Sequence, residues 1–161
     1  MQKLKPPAVI IDIDGTLADV HGFSHHIVRI PGQRHKDFSE FHKRTPHAEP
    51  KQQALDYIDD ALEAGMALII LTARREMWLE ASRQFIDRVI QVPYELHMRP
   101  DDDFGNDVQF KKHLLKYLRR HYDIRGAIED NPAVAAMFEK AGVPVELVPD
   151  GRWSELEEIN Q

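Results

Sequence analysis

Apolar runs at residues 8–13, 66–71, 124–128 and 143–148, with a weaker one at 94–98, recur along the chain and are rich in Ile, Val and Leu. A run that is apolar throughout, rather than at alternate positions, marks a strand buried on both faces. Residues 8–13 are the clearest case, ending in Asp-Gly, and they read as a central strand. Between the runs the spacing turns helical. Residues 51–64 form one such stretch, stopped at Gly65, and 75–89 another, with Trp78, Leu79, Phe85 and Ile86 near helical spacing. Residues 107–122 form a third, with Asp107 as candidate N-cap, and 132–141 a fourth, starting on Pro132 and stopping at Gly142. Strands alternating with helices predict a parallel sheet covered on both faces. Such a sheet takes ligands beyond the carboxyl ends of its strands, where strand order reverses.

Segment 21–50 breaks the alternation. It carries His21, His25, His26, His35, His42 and His47 among Gly22, Pro31, Gly32 and Pro46. A loop of this length predicts a lid, so a His-rich insertion over 19–50 is expected within a single domain spanning 1–161. Composition agrees with a globular protein: 42% apolar, 30% charged, and no apolar run near the ~20 residues of a membrane helix. No signal-peptide pattern opens the chain, so no membrane role and a cytoplasmic location are expected. The absence of cysteine excludes disulfides, thiolate metal sites and a thiol nucleophile. A net charge of -6 argues against broad binding to polyanions. Arg74, Arg75, Lys111, Lys112, Lys116, Arg119 and Arg120 would nevertheless build a local basic groove if the fold gathered them.

The chemically suggestive groups fall at strand ends. Asp12 and Asp14 stand two apart, a spacing that turns both carboxylates to one side of a strand. An Asp-Gly turn alone explains Asp14, but a carboxylate ending an apolar central strand is costly to bury without a cation or several donors. Thr72 and Arg74 follow the second run and suit phosphate oxygens, the arginine as a planar fork. In 107–122, Val108, Lys111, Leu115, Leu118 and Tyr122 share one face, so a lysine interrupts the apolar stripe while Lys112, Lys116 and Arg119 share the outer face. A core-facing lysine must find an anion, which favours Lys111 over Lys112. Glu129 and Asp130 end the fourth run ahead of a helix start, where they would complement its dipole. With Asp12 and Asp14, four carboxylates would crowd one edge, and hard oxygen ligands select Mg²⁺.

In order, Asp12-Ile13-Asp14-Gly15-Thr16-Leu17, Leu71-Thr72-Ala73-Arg74, Lys111 and Ile128-Glu129-Asp130-Asn131 resemble the four motifs of haloacid dehalogenase-like (HAD) phosphohydrolases. Met98-Arg99-Pro100-Asp101 through Asp107 and Lys111, then 128–148, is similar to the 3′-phosphatase domain of bacteriophage polynucleotide kinase/phosphatases. The resemblance implies an α/β, Rossmann-like HAD fold: a five-stranded parallel sheet in the order 3-2-1-4-5, helices on both faces, and a minimal cap. It implies that Asp12 attacks phosphorus and that Asp14 protonates the leaving oxygen, then deprotonates water. Mg²⁺ would be held by Asp12, the backbone carbonyl of Asp14 and Asp130, with Glu129 behind them. Thr72, Ala73, Arg74 and Lys111 would bind the phosphoryl group, with Asp107 orienting Lys111 or touching substrate. The implied substrate is a phosphomonoester such as a DNA or RNA 3′ end, or a nucleotide. No G-x-x-x-x-G-K-[ST] sequence occurs, so a kinase or ligase activity would come from a separate partner.

The phage enzymes place an arginine soon after the first motif. Here His21, Gly22 and Phe23 precede Arg29, and Arg29, Arg34 or a histidine are the alternatives for that role. Competing readings are a 5′-nucleotidase or small-molecule phosphatase of the same superfamily, a receiver-like domain in which the phospho-aspartate persists, and a His-rich metal-binding module.

Overall fold

A computed structural model describes residues 3–32 and 36–149. The first strand, β1 (Pro7–Ile11), enters the core at once, with four of its five residues buried. The insertion follows. It contains the two-residue strands β2 (Val28–Arg29) and β3 (Lys36–Asp37), paired antiparallel, and a short helix α1 (Ser39–Arg44). The segment expected to be mostly irregular thus carries a small hairpin and a helix, because Phe41 anchors it by packing at 2% exposure into the main core. Arg34 and His35 lie outside the described residues.

The alternation then resumes with α2 (Gln52–Glu63), β4 (Ala67–Arg75), α3 (Leu79–Val89), β5 (Glu95–Arg99), α4 (Asp107–Leu118), β6 (Asp123–Glu129), α5 (Pro132–Lys140) and β7 (Val145–Leu147). The sheet runs β5-β4-β1-β6-β7 and every pairing is parallel, which is the 3-2-1-4-5 order the resemblance implies. Alternate residues of β1 feed opposite faces. Val9 and Ile11 pack with Ile58 of α2 and Phe85 of α3, whereas Ala8 and Ile10 pack with Leu118 of α4 and Phe138 of α5. Truncating a fully buried residue such as Ile70 to Ala would cost about 2–5 kcal/mol. Among the described residues no helix is long and apolar enough to cross a membrane.

Two element boundaries depart from expectation. β4 continues through Thr72-Ala73-Arg74 to Arg75, which pairs with Arg99 of β5, so the helix expected from Arg75 begins only at Leu79 after a 3₁₀ turn at Glu76–Trp78. Pairing with a neighbouring strand here overrides local propensity. The α4 cap is Asn106, whose Oδ1 accepts the Gln109 N–H at 2.8 Å, and Asp107 is the first helical residue. The ends of the insertion meet: Asp19 N–H donates to Glu49 O at 2.8 Å and Lys51 N–H to Leu17 O at 2.9 Å.

Candidate active site

β1 stops at Ile11 while β4 runs five residues beyond its last contact with β1, at Ile70, and a cleft opens at the carboxyl end of the sheet. Strand order reverses between β1 and β6, so the chain leaving β1 and the end of β6 face each other there. The turn after β1 is tight: Thr16 and Ala18 N–H groups donate back to Ile13 O, and Gly15 sits at φ 80°, a conformation that costs a side-chain-bearing residue. The turn points the Thr16 hydroxyl at Asp12 Oδ2 (2.9 Å) and Asp130 Oδ1 (3.1 Å), bridging the two carboxylates.

Asp12, Glu129 and Asp130, all buried, bring carboxylate oxygens within 4.8 Å of one another. Lys111 reaches into this cluster from the first turns of α4, donating to Asp12 Oδ1 and Glu129 Oε2 at 2.7 Å each. It is 3% exposed, whereas Lys112 faces solvent. Burial would lower the Lys111 pKa, but Asp12 and Glu129 outweigh it and raise it, so the ammonium stays charged. Burial pushes Glu129 up and Asp12 adds to the rise, against the opposing pull of Lys111. Glu129 Oε1 also accepts the Asn131 N–H at 3.0 Å, and Asn131 Oδ1 caps α5 through Ala133 N–H. Glu129 and Asp130 thus stand just ahead of the α5 N-terminus, where the side-chain cap itself is Asn131.

Asp14 does not join the cluster, so three carboxylates rather than four gather among the described residues. Its side chain is gripped by Arg74, Nε to Oδ2 at 2.8 Å and Nη2 to Oδ1 at 2.6 Å, while Arg74 Nη1 donates to Ser82 of α3 at 3.1 Å. The guanidinium read from sequence as a phosphate fork holds a carboxylate here. Thr72 Oγ1 accepts the Arg74 N–H at 3.1 Å, and half-buried Ala73 lines the cleft beside them. Asp107 is likewise differently engaged: Arg99 Nη2 donates to its Oδ1 at 2.7 Å, and Lys111 is oriented by Asp12 and Glu129 instead.

The cleft holds about 790 Å³. Arg74, Arg75 and Lys111 line it, but Lys112, Lys116, Arg119 and Arg120 do not, so the seven basic residues do not form one groove. Arg29 is exposed on β2 and away from the cleft lining. Among the described residues no histidine joins a cluster of three metal-ligating groups. His42 does face the cleft from α1. It is 6% exposed, packs against Trp78 at 5.0 Å between centroids, and its Nδ1 lacks a hydrogen-bond partner. Burial drives its pKa down to about 4, with nearby Asp14 opposing.

Sequence reasoning quoted Thr16, Arg99 and Asn131 within motifs without a role of their own, counted His42 only among the histidines of the insertion, and passed over Ser82. The i, i+3, i+4 spacing of Phe38, Phe41 and His42 is a signal that could have turned His42 inward, and the charge ending the 94–98 run marked Arg99 as Asp12 was marked. Ser82 carried none.

Residues 6–153 match the family described as the polynucleotide kinase PNKP phosphatase domain. The chain belongs to this family of HAD-type phosphatases. A chain in a structure of the Pnkp1/Rnl/Hen1 RNA repair complex is 24% identical, with TM-score 0.71 over 89% of this chain and 42% of that one. A second structure of the Pnkp1/Rnl/Hen1 complex gives 25% identity and TM-score 0.70, over 89% and 45%. The class C acid phosphatase from Bacillus anthracis with tungstate bound shares the fold at 15% identity, TM-score 0.66, over 92% and 68%. The chain spans less than half the length of the first two.

Proposed function

We propose that this protein is a Mg²⁺-dependent phosphomonoesterase that works through a phosphorylated Asp12 and removes 3′-phosphates from DNA or RNA ends. The observation that carries the reading is the buried trio of Asp12, Glu129 and Asp130 with Lys111 among them at the switch point of the sheet. Three carboxylates against one ammonium leave a formal excess of two negative charges out of water. Such an excess is costly unless a cation offsets it, and an all-oxygen donor set suits a hard divalent ion. Asp12, Asp130 and the backbone carbonyl of Asp14 would hold Mg²⁺, with Glu129 beside them. When bound, it would offset the charge of a phosphate dianion and polarise a phosphoryl oxygen.

The chain's own groups account for the rest. An Asp12 oxygen attacks phosphorus in line, the new P–O bond forming as the ester P–O bond breaks. Asp14 gives its proton to the departing oxygen, then takes one from the water that hydrolyses the acyl phosphate. To do so Asp14 must exchange its two bonds to Arg74, and an entering phosphoryl group, itself a partner for a planar fork, supplies that exchange. Lys111, charged and 2.7 Å from Asp12, is set to neutralise a phosphoryl oxygen beside the nucleophile. Thr72 and Ala73 border the same space, and Asp107, held by Arg99, lines the cleft and is available to contact the substrate.

Asp12→Asn and Asp14→Asn are each expected to lower Mg²⁺-dependent phosphate release by several orders of magnitude. Full activity of Asp12→Asn would overturn the nucleophile assignment. Competition among 3′-phosphorylated oligonucleotide, 5′-phosphorylated oligonucleotide and mononucleotides in one assay tests the substrate. The family match supports a polynucleotide end as substrate, and the likeness to chains of Pnkp1/Rnl/Hen1 structures is consistent with a kinase or ligase partner.

A further inference from the structure

Above its acidic floor the cleft changes character. Phe38, Met77 and Phe104, at 40%, 62% and 56% exposure, line its mouth with Trp78, so large apolar side chains stand in water around a charged centre. Exposed apolar surface gathered in one concavity marks a ligand contact. Phe104 is held there by a braced loop: Arg99 Nη1 donates to Gly105 O at 2.9 Å, Gly105 N–H to Asp103 Oδ1 at 2.8 Å, and Met77 N–H to Asp101 Oδ1 at 2.9 Å. The Arg75 guanidinium lies over its ring, 4.4 Å from the centroid, and Arg75 is itself fixed as the last residue of β4, paired with Arg99.

A phosphoryl group fills a small part of about 790 Å³, so the leaving group must occupy the rest. A hydroxyl-rich leaving group wants fixed polar partners. Polar groups such as Lys36, Asp37 and Ser39 also border the cleft, but Phe104 and Arg75 together present an aromatic face and a planar cation, the surfaces on which bases stack. We propose that Phe104 and Arg75 form a stacking subsite for the nucleobase of the nucleotide that carries the scissile phosphate. The proposal rests on the phosphatase reading above and adds to it how the leaving group is recognised.

The test uses the full chain with Mg²⁺ and two oligonucleotides ending in a 3′-phosphate, one with a normal terminal base and one abasic at that residue. Phe104→Ala should raise KM for the base-bearing substrate about tenfold, with kcat kept and the abasic substrate unaffected. Phe104→Trp should preserve wild-type values. Equal effects on both substrates, or none on either, overturn the subsite. If wild type releases phosphate from neither, the phosphatase reading fails, and fluorescence anisotropy of the same two oligonucleotides then decides the subsite alone. A base-dependent affinity lost in Phe104→Ala supports it, and affinities indifferent to the base overturn it.

Discussion

At the scale of single residues, the site is a set of charges that explain one another. Lys111 was legible because a lysine within an apolar stripe demands an anion, and its two anions are Asp12 and Glu129. Arg74 was legible as a fork but not as the partner of Asp14, since residues 60 apart in sequence carry no mark of meeting. His42 was hidden among five other histidines of the same segment, and its buried position has a thermodynamic consequence. Unfolded, the imidazole takes a proton below about 6.5; folded, only below about 4. Between those values the unfolded state binds more protons, so stability rises with pH and is lost as pH falls through the window. The loss attributable to His42 should reach about 2 kcal/mol by pH 5 and about 3 by pH 4. Urea unfolding of wild type and His42→Phe at pH 7 and pH 5 checks this. The variant should lose less on acidification, and parallel losses would contradict it.

Secondary-structure elements were legible where an apolar run or a Gly stop defined them, as in β1 and α2, and not where tertiary pairing decided. Arg75 reads as the polar start of a helix, yet β5 holds the chain extended as far as that residue. The α4 start was read one residue late because Asn and Asp stand side by side and both cap well. The difference matters for function, since Lys111 extends from the turn that Asn106 closes. Asn106→Ala should cost about 1 kcal/mol of stability. A turnover that falls with stability intact would tie the cap to Lys111 placement, measured by urea unfolding beside phosphate release.

For the whole molecule, the strand order followed from the family resemblance, and the alternation of elements already required a parallel sheet with its ligand edge at the switch point. What the sequence could not convey was the depth of the charge cluster, because burial is a property of all five strands and four flanking helices together. That depth makes cation binding a stability effect. Mg²⁺ at 100 times its Kd should stabilise the fold by about 2.7 kcal/mol. Differential scanning fluorimetry should show Tm rising with Mg²⁺ in wild type and not in Asp130→Asn; a flat response in wild type would argue against the ion site.

The junction where Asp19 meets Glu49 and Lys51 meets Leu17 sets the insertion apart from the sheet that carries the charged groups. The excursion leaves and returns through neighbouring points, so another loop of different length or sequence, if it kept an anchor equivalent to Phe41, could be grafted there without disturbing the groups at the ends of β1, β4 and β6. Taste for a substrate could then drift while the chemistry beneath it stood still.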